Sequence, residues 1–350
     1  MLINYIGNTV SAVALILILS SCDYGDKPVT DFIPEKADYD VAFKRLEFQC
    51  IHERDHLPAL HPDADELYKY GLHLAQVTGP KDFDKLARYY RIAAAFDHYL
   101  AARNLQALLS QGMTSAKHPA HETINLTEHF MNQGVPGAYY DMGHYLELGY
   151  GVRQDADAAR YYFRRAADMG NPEAQYYVAD SLSRIRGAGQ VALTMLRCAM
   201  DQGHTEAALE YAIEKETREE YEKAAQAYQT AIKAGDPVSP MILRKAFIGG
   251  QSKDNSDYLA QPKDIERSRR YGLVEVFLDR YEHLGAKVPD IDQIVPLPPA
   301  KLPEWDETFE WKRKRDAAVP PSPPSDELIA RMCEEKGLDP STGWPLSGLK

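Results

Sequence analysis

The sequence is short of positive charge and lacks the motifs of the common enzyme classes. Its 350 residues contain 40 Lys and Arg against 52 Asp and Glu, which gives a formal net charge of -12 at pH 7. This excess of acid disfavours nucleic acid as a partner and favours a basic protein surface. The sequence also has no glycine-rich phosphate-binding loop, no GxSxG nucleophile motif and no Cys–His pair at a family spacing. These absences predict a binding protein without a cofactor rather than an enzyme.

The amino-terminal segment has no charged side chain in its first 21 residues. Its apolar run, Val10 to Leu19, is too short for a comfortable membrane span and is typical of a signal peptide. The sequence that follows, Leu19-Ser20-Ser21-Cys22, resembles the lipobox of bacterial lipoproteins, in which cleavage precedes a lipid-modified cysteine. An uncleaved anchor helix is the alternative.

The lipobox resemblance implies an exported chain that is held at a membrane. It implies that residues 1–21 are a lipoprotein signal peptide, that Cys22 carries the lipid in the periplasm, and that residues 22–36 form a loose tether. By resemblance to enterobacterial lipoproteins, Asp23 favours the inner membrane, and the outer membrane stays an alternative.

A repeat of 32 to 37 residues organises most of the chain. The segments RRAADMGNPEA, LRCAMDQGHTEA and YQTAIKAGDPVS end alike, and their glycines Gly170, Gly203 and Gly235 are 33 and 32 residues apart. The pattern of each unit predicts a helix, a turn and a second helix. In the unit of residues 138–170, Asp155 is expected to cap the second helix and Gly170 to end it. Since one such unit cannot bury its apolar face alone, neighbouring units must stack.

One unit resembles a known repeat family. Residues 138–170 resemble the Sel1-like repeat, a relative of the tetratricopeptide repeat, through Ala138, Met142-Gly143, Tyr145, Gly149-x-Gly151-Val152, Asp155, Ala159, Tyr162, Ala166-Ala167 and Gly170. Degenerate versions flank it, so that residues 66–286 form the repeat region. The resemblance implies an all-α fold, a right-handed α-solenoid of helix pairs whose concave face holds a protein.

The segments on either side of the repeats predict two caps. Residues 37–65 form an N-terminal capping region, and the stripe of Tyr39, Phe43, Leu46 and Cys50 predicts a helix over residues 37–57. Residues 287–350 are rich in proline, so they cannot continue a solenoid and predict a largely irregular C-terminal cap.

The C-terminal cap contains aromatic residues that can hold it to the repeats. Trp305, Phe309 and Trp311 are expected to pin the tail along the last helices. Residues 297–347 resemble a C-terminal module that follows Sel1-like repeats in bacterial lipoproteins and has no assigned chemistry.

Lipidation of Cys22 leaves three cysteines, so at most one disulfide can form. Cys198 occupies a position that the neighbouring repeat fills with a small residue, and we expect it in the core. The sequence leaves a bridge between Cys50 and Cys333 open, without a pattern that supports it.

The sharpest enzyme-like motif is an HExxH sequence, His52-Glu53-Arg54-Asp55-His56. Two histidines four apart on a helix can bind zinc, with the glutamate as general base. Charged residues fill the motif, and Pro58 follows it closely. These features favour a solvated helix end over the remote alternative of a zinc hydrolase through His52 and His56, and we expect no metal.

The predicted partner-binding residues lie on the first helices of the repeats, which face the concave side. They are Tyr139, His144, Glu147, Tyr176 and Asp180. Tyrosine is favoured at interfaces because it contributes a large contact area at low entropy cost. A solvated helix face is the alternative for each of them.

The combination of lipobox, repeats and C-terminal module resembles the immunity proteins encoded beside type VI secretion phospholipase effectors, particularly those of the phospholipase D type. The resemblance implies a membrane-anchored periplasmic protein that binds and occludes a toxic effector through the basic surface around its active site. An adaptor that organises envelope components is the alternative.

Overall fold

The computed structural model describes residues 45–249 and 257–346. The predicted signal peptide, Cys22, Asp23 and the tether lie outside these residues. The chain is an all-α solenoid, as the repeat predicted, because successive helices pack in pairs along the sequence. Within the described ranges, no helix combines the length and apolar character that a bilayer span requires.

Six helix pairs follow one another in the described chain. They are α1 (Pro62–Gln76) with α2 (Phe83–Ala94), α3 (Tyr99–Ser110) with α4 (Pro119–Asn132), α5 (Pro136–Leu148) with α6 (Ala156–Asp168), α7 (Pro172–Ser183) with α8 (Gly189–Asp201), α9 (Thr205–Thr217) with α10 (Tyr221–Ala234), and α11 (Ser239–Gly249) with α12 (Ile265–Tyr281). Beyond them lie α13 (Ile291–Ile294), α14 (Glu310–Ala317) and α15 (Asp326–Lys336).

The described residues form two compact units. The first unit contains residues 53–165 and 319–346, and the second contains residues 45–52, 166–249 and 257–318. Each unit therefore combines consecutive helices of the repeat region with a segment that is distant in sequence.

The ends of the helices follow the local rules that the sequence indicated. Gly170 adopts a left-handed φ of 108° after α6, where a side chain would be strained. The Asn171 Oδ1 accepts a hydrogen bond from the Ala174 backbone N–H at 2.8 Å, which starts α7. The carboxylate of Asp155 accepts from the Ala158 N–H at 3.0 Å before α6 continues. These caps confirm the predicted helix boundaries around the best-matching repeat.

The two helices of a pair approach closely at glycines. A Cβ built on Gly143 of α5 would lie 2.5 Å from Cε1 of Phe163 on α6. A Cβ on Gly71 of α1 would lie 2.6 Å from Cε1 of Tyr90 on α2. Both rings are buried. A buried aromatic ring of the second helix thus occupies the space that a side chain on the first helix would need.

The C-terminal helix completes the core of the first unit. Ile329, Met332 and Cys333 of α15 are buried in one hydrophobic cluster with residues of α1 and α2, including Leu67 and Tyr90. Cys333 is a free, buried cysteine. A bridge between Cys50 and Cys333 is therefore wrong, because Cys333 is unbonded in this core and Cys50 pairs with another residue.

Residues 294–311 are attached to α12 in the second unit. Phe309 stacks on Phe277 with ring centroids 3.9 Å apart, and Trp311 lies edge-on to Phe277 at 6.1 Å. This confirms that the aromatic residues hold the tail to the last helix pair. Two buried arginines of α12 add hydrogen bonds to carbonyl groups: Arg270 donates to Ile294 O at 2.8 Å, and Arg267 donates to Pro296 O at 3.1 Å. The arginine N–H groups thus supply hydrogen bonds to backbone carbonyls that have no partner in a helix or sheet.

The segment that precedes the first helix pair differs from the prediction. Residues 45–52 are not helical, and Leu46, placed on the apolar stripe, is 51% exposed. Cys50 forms a disulfide with Cys198 of α8, with the Cα atoms 5.6 Å apart. The predicted helix over residues 37–57 is therefore wrong over residues 45–52, because tertiary bonds outweigh the helical pattern of so short a segment. Cys198 is buried as predicted, although as half of a disulfide.

Candidate functional site

The HExxH sequence does not form the helix that a zinc site of this type needs. Residues Glu53–His56 make a four-residue 3-10 helix, and His52 precedes it. The two histidines are therefore not four residues apart on one α-helical face, and the weak zinc candidate of His52 and His56 lacks its geometry. His52 instead lies beside the Cys50–Cys198 disulfide.

In the second unit, the first helices of two consecutive pairs are joined by a tyrosine and a carboxylate. The hydroxyl of Tyr176 on α7 donates a hydrogen bond to Oε1 of Glu210 on α9 at 2.8 Å. Asp180 lies one turn after Tyr176 and is paired with Arg184 at 2.8 Å. Glu206 lies one turn before Glu210 on α9. We call Tyr176, Asp180, Glu206 and Glu210 the acidic face.

The carboxylates of the acidic face influence one another. Partial burial, together with the nearby Asp180 and Glu206, raises the pKa of Glu210, while the hydrogen bond from Tyr176 and the charge of Arg184 oppose this rise. Burial and the neighbouring Glu210 also raise the pKa of Tyr176, so its hydroxyl keeps its proton and acts as a donor. A cationic side chain docked here would relieve the repulsion between these carboxylates.

The acidic face remains accessible to a partner. The side chains of Asp180 and Glu206 are 43% and 39% exposed. Their exposure and the hydrogen-bonded Tyr176 together present negative charge next to an aromatic ring, a combination that suits arginine or lysine.

A neutral histidine supports the start of α9 beside this face. Nδ1 of His204 accepts a hydrogen bond from the Ala207 backbone N–H at 3.2 Å, and its ring lies 4.8 Å from that of Tyr176. Burial lowers the pKa of His204 despite the nearby Glu173 and Glu206. An unprotonated Nδ1 is what the cap requires, so burial and capping favour the same neutral form.

The first unit repeats the tyrosine–carboxylate contact. The hydroxyl of Tyr99 on α3 donates to Asp141 of α5 at 3.2 Å, and Arg103 lies 3.9 Å from the same carboxylate. Three of the predicted residues, Tyr139, His144 and Glu147, lie on α5. Glu147 is 44% exposed, and its carboxylate lies 3.4 Å from Nδ1 of His144.

His144 is more buried than the prediction assumed. Its ring packs against Tyr140 and Phe163 with centroid distances of 4.6 and 4.8 Å. Burial lowers the pKa of His144 although Asp141 and Glu147 raise it. His144 therefore supports the packing of α5 on α6 and leaves Glu147 as the more accessible group.

Tyr139 does not lie on the exposed side of its helix. It is 6% exposed, its hydroxyl donates to Met131 O at 3.1 Å, and its ring stacks on Tyr162. In the repeat register Tyr139 corresponds to the fully buried Gln175, one position before Tyr176. The expectation that Tyr139 faces a partner is therefore wrong, because one residue on a helix turns a side chain by about 100°.

The structure adds residues that the sequence reasoning missed. Glu206 and Glu210 complete the acidic face with Tyr176 and Asp180, which were predicted. Glu206 and Glu210 are four apart on the first helix of the next repeat, and this spacing places them on one side of α9. Comparing first helices across repeats would have found them.

Comparison with protein families gives one match in the C-terminal part of the chain. A family described as a domain of unknown function, DUF6396, matches residues 239–346. The match begins at α11 and covers the last helix pair and the tail. It thus includes residues 257–318 of the second unit and residues 319–346 of the first. The search of curated proteins finds no match.

Solved structures match a larger share of the chain. Immunity protein PA5087 from Pseudomonas aeruginosa is 26% identical, with a TM-score of 0.55 over 72% of this chain and 95% of its own. Immunity protein PA5088 from the same organism is 24% identical, with a TM-score of 0.57 over 72% of this chain and 94% of its own. PA5086 of Pseudomonas aeruginosa is 24% identical, with a TM-score of 0.55 over 72% and 95%. The chain thus shares the helical-repeat fold of these Pseudomonas aeruginosa proteins and resembles immunity proteins among them.

Proposed function

We propose that this chain is an immunity protein, which neutralises a toxic effector by binding it. The observation that carries the proposal is the likeness to immunity protein PA5087, which extends over 95% of that protein at 26% identity. A likeness that spans nearly the whole relative fits a shared role better than a shared repeat alone would.

The acidic face supports binding as the mode of action. Asp180, Glu206 and Glu210 offer carboxylates on adjacent first helices, and Tyr176 adds an aromatic ring with a hydroxyl donor. Opposite charges accelerate the encounter of two proteins and orient them. We infer that this face receives arginine or lysine side chains of the effector.

The effector in this proposal is a phospholipase delivered by type VI secretion, with the phospholipase D type favoured. An enzyme that acts on phosphodiesters needs basic residues to attract its substrate, and an acidic scaffold can cover them. Inhibition by occlusion requires one scaffold for each enzyme and no chemical step. The chain in this proposal is a binding protein and not an enzyme.

The proposed location is the periplasm, with a lipid on Cys22 that holds the chain at a membrane. The disulfide between Cys50 and Cys198 supports this location, because structural disulfides persist in oxidising compartments. Asp23 makes the inner membrane the proposed site of anchoring.

A protection assay in cells tests the proposal. The proposed phospholipase effector is exported to the periplasm, and survival is measured with and without the chain. We expect survival only when the chain is present. The double variant Asp180→Lys with Glu206→Lys should bind the effector at least about tenfold more weakly and protect poorly, since the two reversals oppose a basic partner.

The matched control makes the same change of charge elsewhere. Glu334 and Glu335 are exposed on α15, and the variant Glu334→Lys with Glu335→Lys should protect like the unaltered chain. Equal survival without the chain would contradict an immunity role. An envelope defect on deletion of the gene, in cells that lack the effector, would indicate the adaptor instead.

A further inference from the structure

We propose that Cys50, His52 and Cys198 form a zinc-binding site when the disulfide is reduced. The ligand atoms of these residues lie within 4.8 Å of one another. The site differs from the HExxH motif, since it uses His52 without His56, and it is independent of the proposed function.

Two of the ligands lie two residues apart on one non-helical segment. Residues 50–52 belong to no helix, and Cys50 and His52 flank Ile51 as a Cys-x-His pair whose ligand atoms lie within 4.8 Å of each other. The intervening Ile51 O accepts a hydrogen bond from Gln175 Nε2 at 3.0 Å, which holds the segment against α7.

The third ligand comes from α8. Cys198 is buried, and its sulfur lies 3.5 Å from Ile51 O. The Cα atoms of Cys50 and Cys198 are 5.6 Å apart. In a tetrahedral zinc site two thiolate sulfurs stand about 3.8 Å apart, given zinc–sulfur bonds of about 2.3 Å. Rotation of the two cysteine side chains reaches this separation without moving the backbone attachment at Ile51.

The donor set favours zinc over the common hard cations. Two thiolates and an imidazole are soft and borderline ligands, which magnesium and calcium avoid. Cys50 is exposed and His52 is partly exposed, so water can reach the site and take the fourth position. The same three residues would then fix the segment in two ways, through a disulfide when oxidised and through zinc when reduced.

The exchange between the two forms needs a dithiol reductant and zinc, and it balances with these two reactants. A dithiol reductant supplies two electrons and two protons, which break the Cys50–Cys198 bond and give two thiols, and the reductant leaves as its own disulfide. Zinc then binds both sulfurs and displaces the two thiol protons, while the imidazole of His52 binds in its neutral form.

Zinc titration of the full chain, purified in detergent and reduced with a phosphine, tests the site. A chromophoric chelator reports the competition for zinc. We expect about one zinc ion per reduced chain and none at this site in the oxidised chain. Cobalt in place of zinc should give a thiolate-to-metal charge-transfer band, which a purely structural role of these residues would not produce.

Single variants identify the ligands. His52→Ala keeps the disulfide, so its oxidised form should unfold at the same temperature as the parent, but its reduced form should bind zinc at least about tenfold more weakly. His56→Ala is the matched control and should bind like the parent. Zinc binding by the reduced parent that is no stronger than that of a Cys50→Ser, Cys198→Ser double variant would overturn the proposal, as would an equal loss in His56→Ala.

Discussion

The close packing of the two helices in a repeat predicts a strong response to one methyl group at Gly143. In the variant Gly143→Ala, the new Cβ lies 2.5 Å from Cε1 and 2.6 Å from Cδ1 of Phe163. The ring cannot move freely, because Phe163 is 1% exposed and packs against Tyr140 and His144. Overpacking of this severity costs about 3 kcal/mol. Replacement of a helical glycine by alanine returns about 1 kcal/mol, so the free energy of unfolding should fall by about 2 kcal/mol.

Gly189 supplies the matched control. It is the first residue of α8, and a Cβ built on it meets no atom within 4 Å. Gly189→Ala should therefore leave stability unchanged or raise it by up to about 1 kcal/mol. Urea unfolding followed by far-ultraviolet circular dichroism measures the free energy of unfolding of both variants. The slope of that free energy against urea concentration should stay the same as in the parent. A Gly143→Ala protein as stable as the parent would refute the packing argument.

Two further predictions concern the first unit. In the variant His98→Asn, the asparagine should still accept the hydrogen bond from the Ala101 N–H, as Asn171 does from the Ala174 N–H at the same repeat position. The free energy of unfolding of this variant should therefore fall less between pH 7 and pH 5 than that of the parent. Met332→Ala should lower the free energy of unfolding by about 2–5 kcal/mol, because Met332 is 1% exposed in the core shared by α15 and the first helix pair. Urea unfolding between pH 5 and pH 7 measures the effect of His98→Asn, and urea unfolding at pH 7 measures that of Met332→Ala.

The sign of the pH effect follows from burial. Desolvation holds the pKa of His98 below its ordinary value of 6.5, although Asp65 raises it. The unfolded chain therefore binds this proton more tightly, so the stabilisation is complete above pH 6.5 and is lost as the pH falls below that value. The same acid sensitivity in His98→Asn as in the parent would show that His98 does not contribute.

The control for Met332 is an exposed apolar residue in the same part of the chain. Val319 is 87% exposed, and Val319→Ala should change stability by less than about 0.5 kcal/mol. Comparable losses in the two variants would contradict the placement of α15 in the core.

The sequence predicted the repeat because its determinants are local. The left-handed residue after a second helix (a glycine such as Gly170, or Asp97 after α2), the caps Asp155 and Asn171, and the apolar positions between them act within a few residues of themselves. Such signals survive even in the degenerate repeats. The solenoid could therefore be predicted without knowledge of distant contacts.

The interpretations that were wrong depended on contacts between residues far apart in the sequence. Cys50 pairs across 148 positions with Cys198, and that bond removes the segment from the helix that its apolar stripe predicted. Likewise, α15 packs with α1 and α2, a contact that the proline-rich sequence before it does not indicate.

Within the candidate site, the outcome depended on single positions of the helical register. Tyr176 and Asp180 lie on the acidic face, whereas Tyr139 falls at the position of the buried Gln175. Tyr140, the next residue, holds the position of Tyr176. Aligning the repeats on their glycines shows which residue of each first helix takes each position. The general rule that first helices face the partner does not distinguish these positions.

The most direct test of the central claim is a binding measurement between the purified chain and the phospholipase effector that we propose as its partner. Titration calorimetry should show a complex of one chain with one effector. Its affinity should fall steeply with added salt, because salt screens the attraction between the acidic face and a basic partner. The Asp180→Lys, Glu206→Lys variant should lose affinity, and the Glu334→Lys, Glu335→Lys variant should keep it. No binding, or binding that is indifferent both to salt and to the acidic face, would contradict the account.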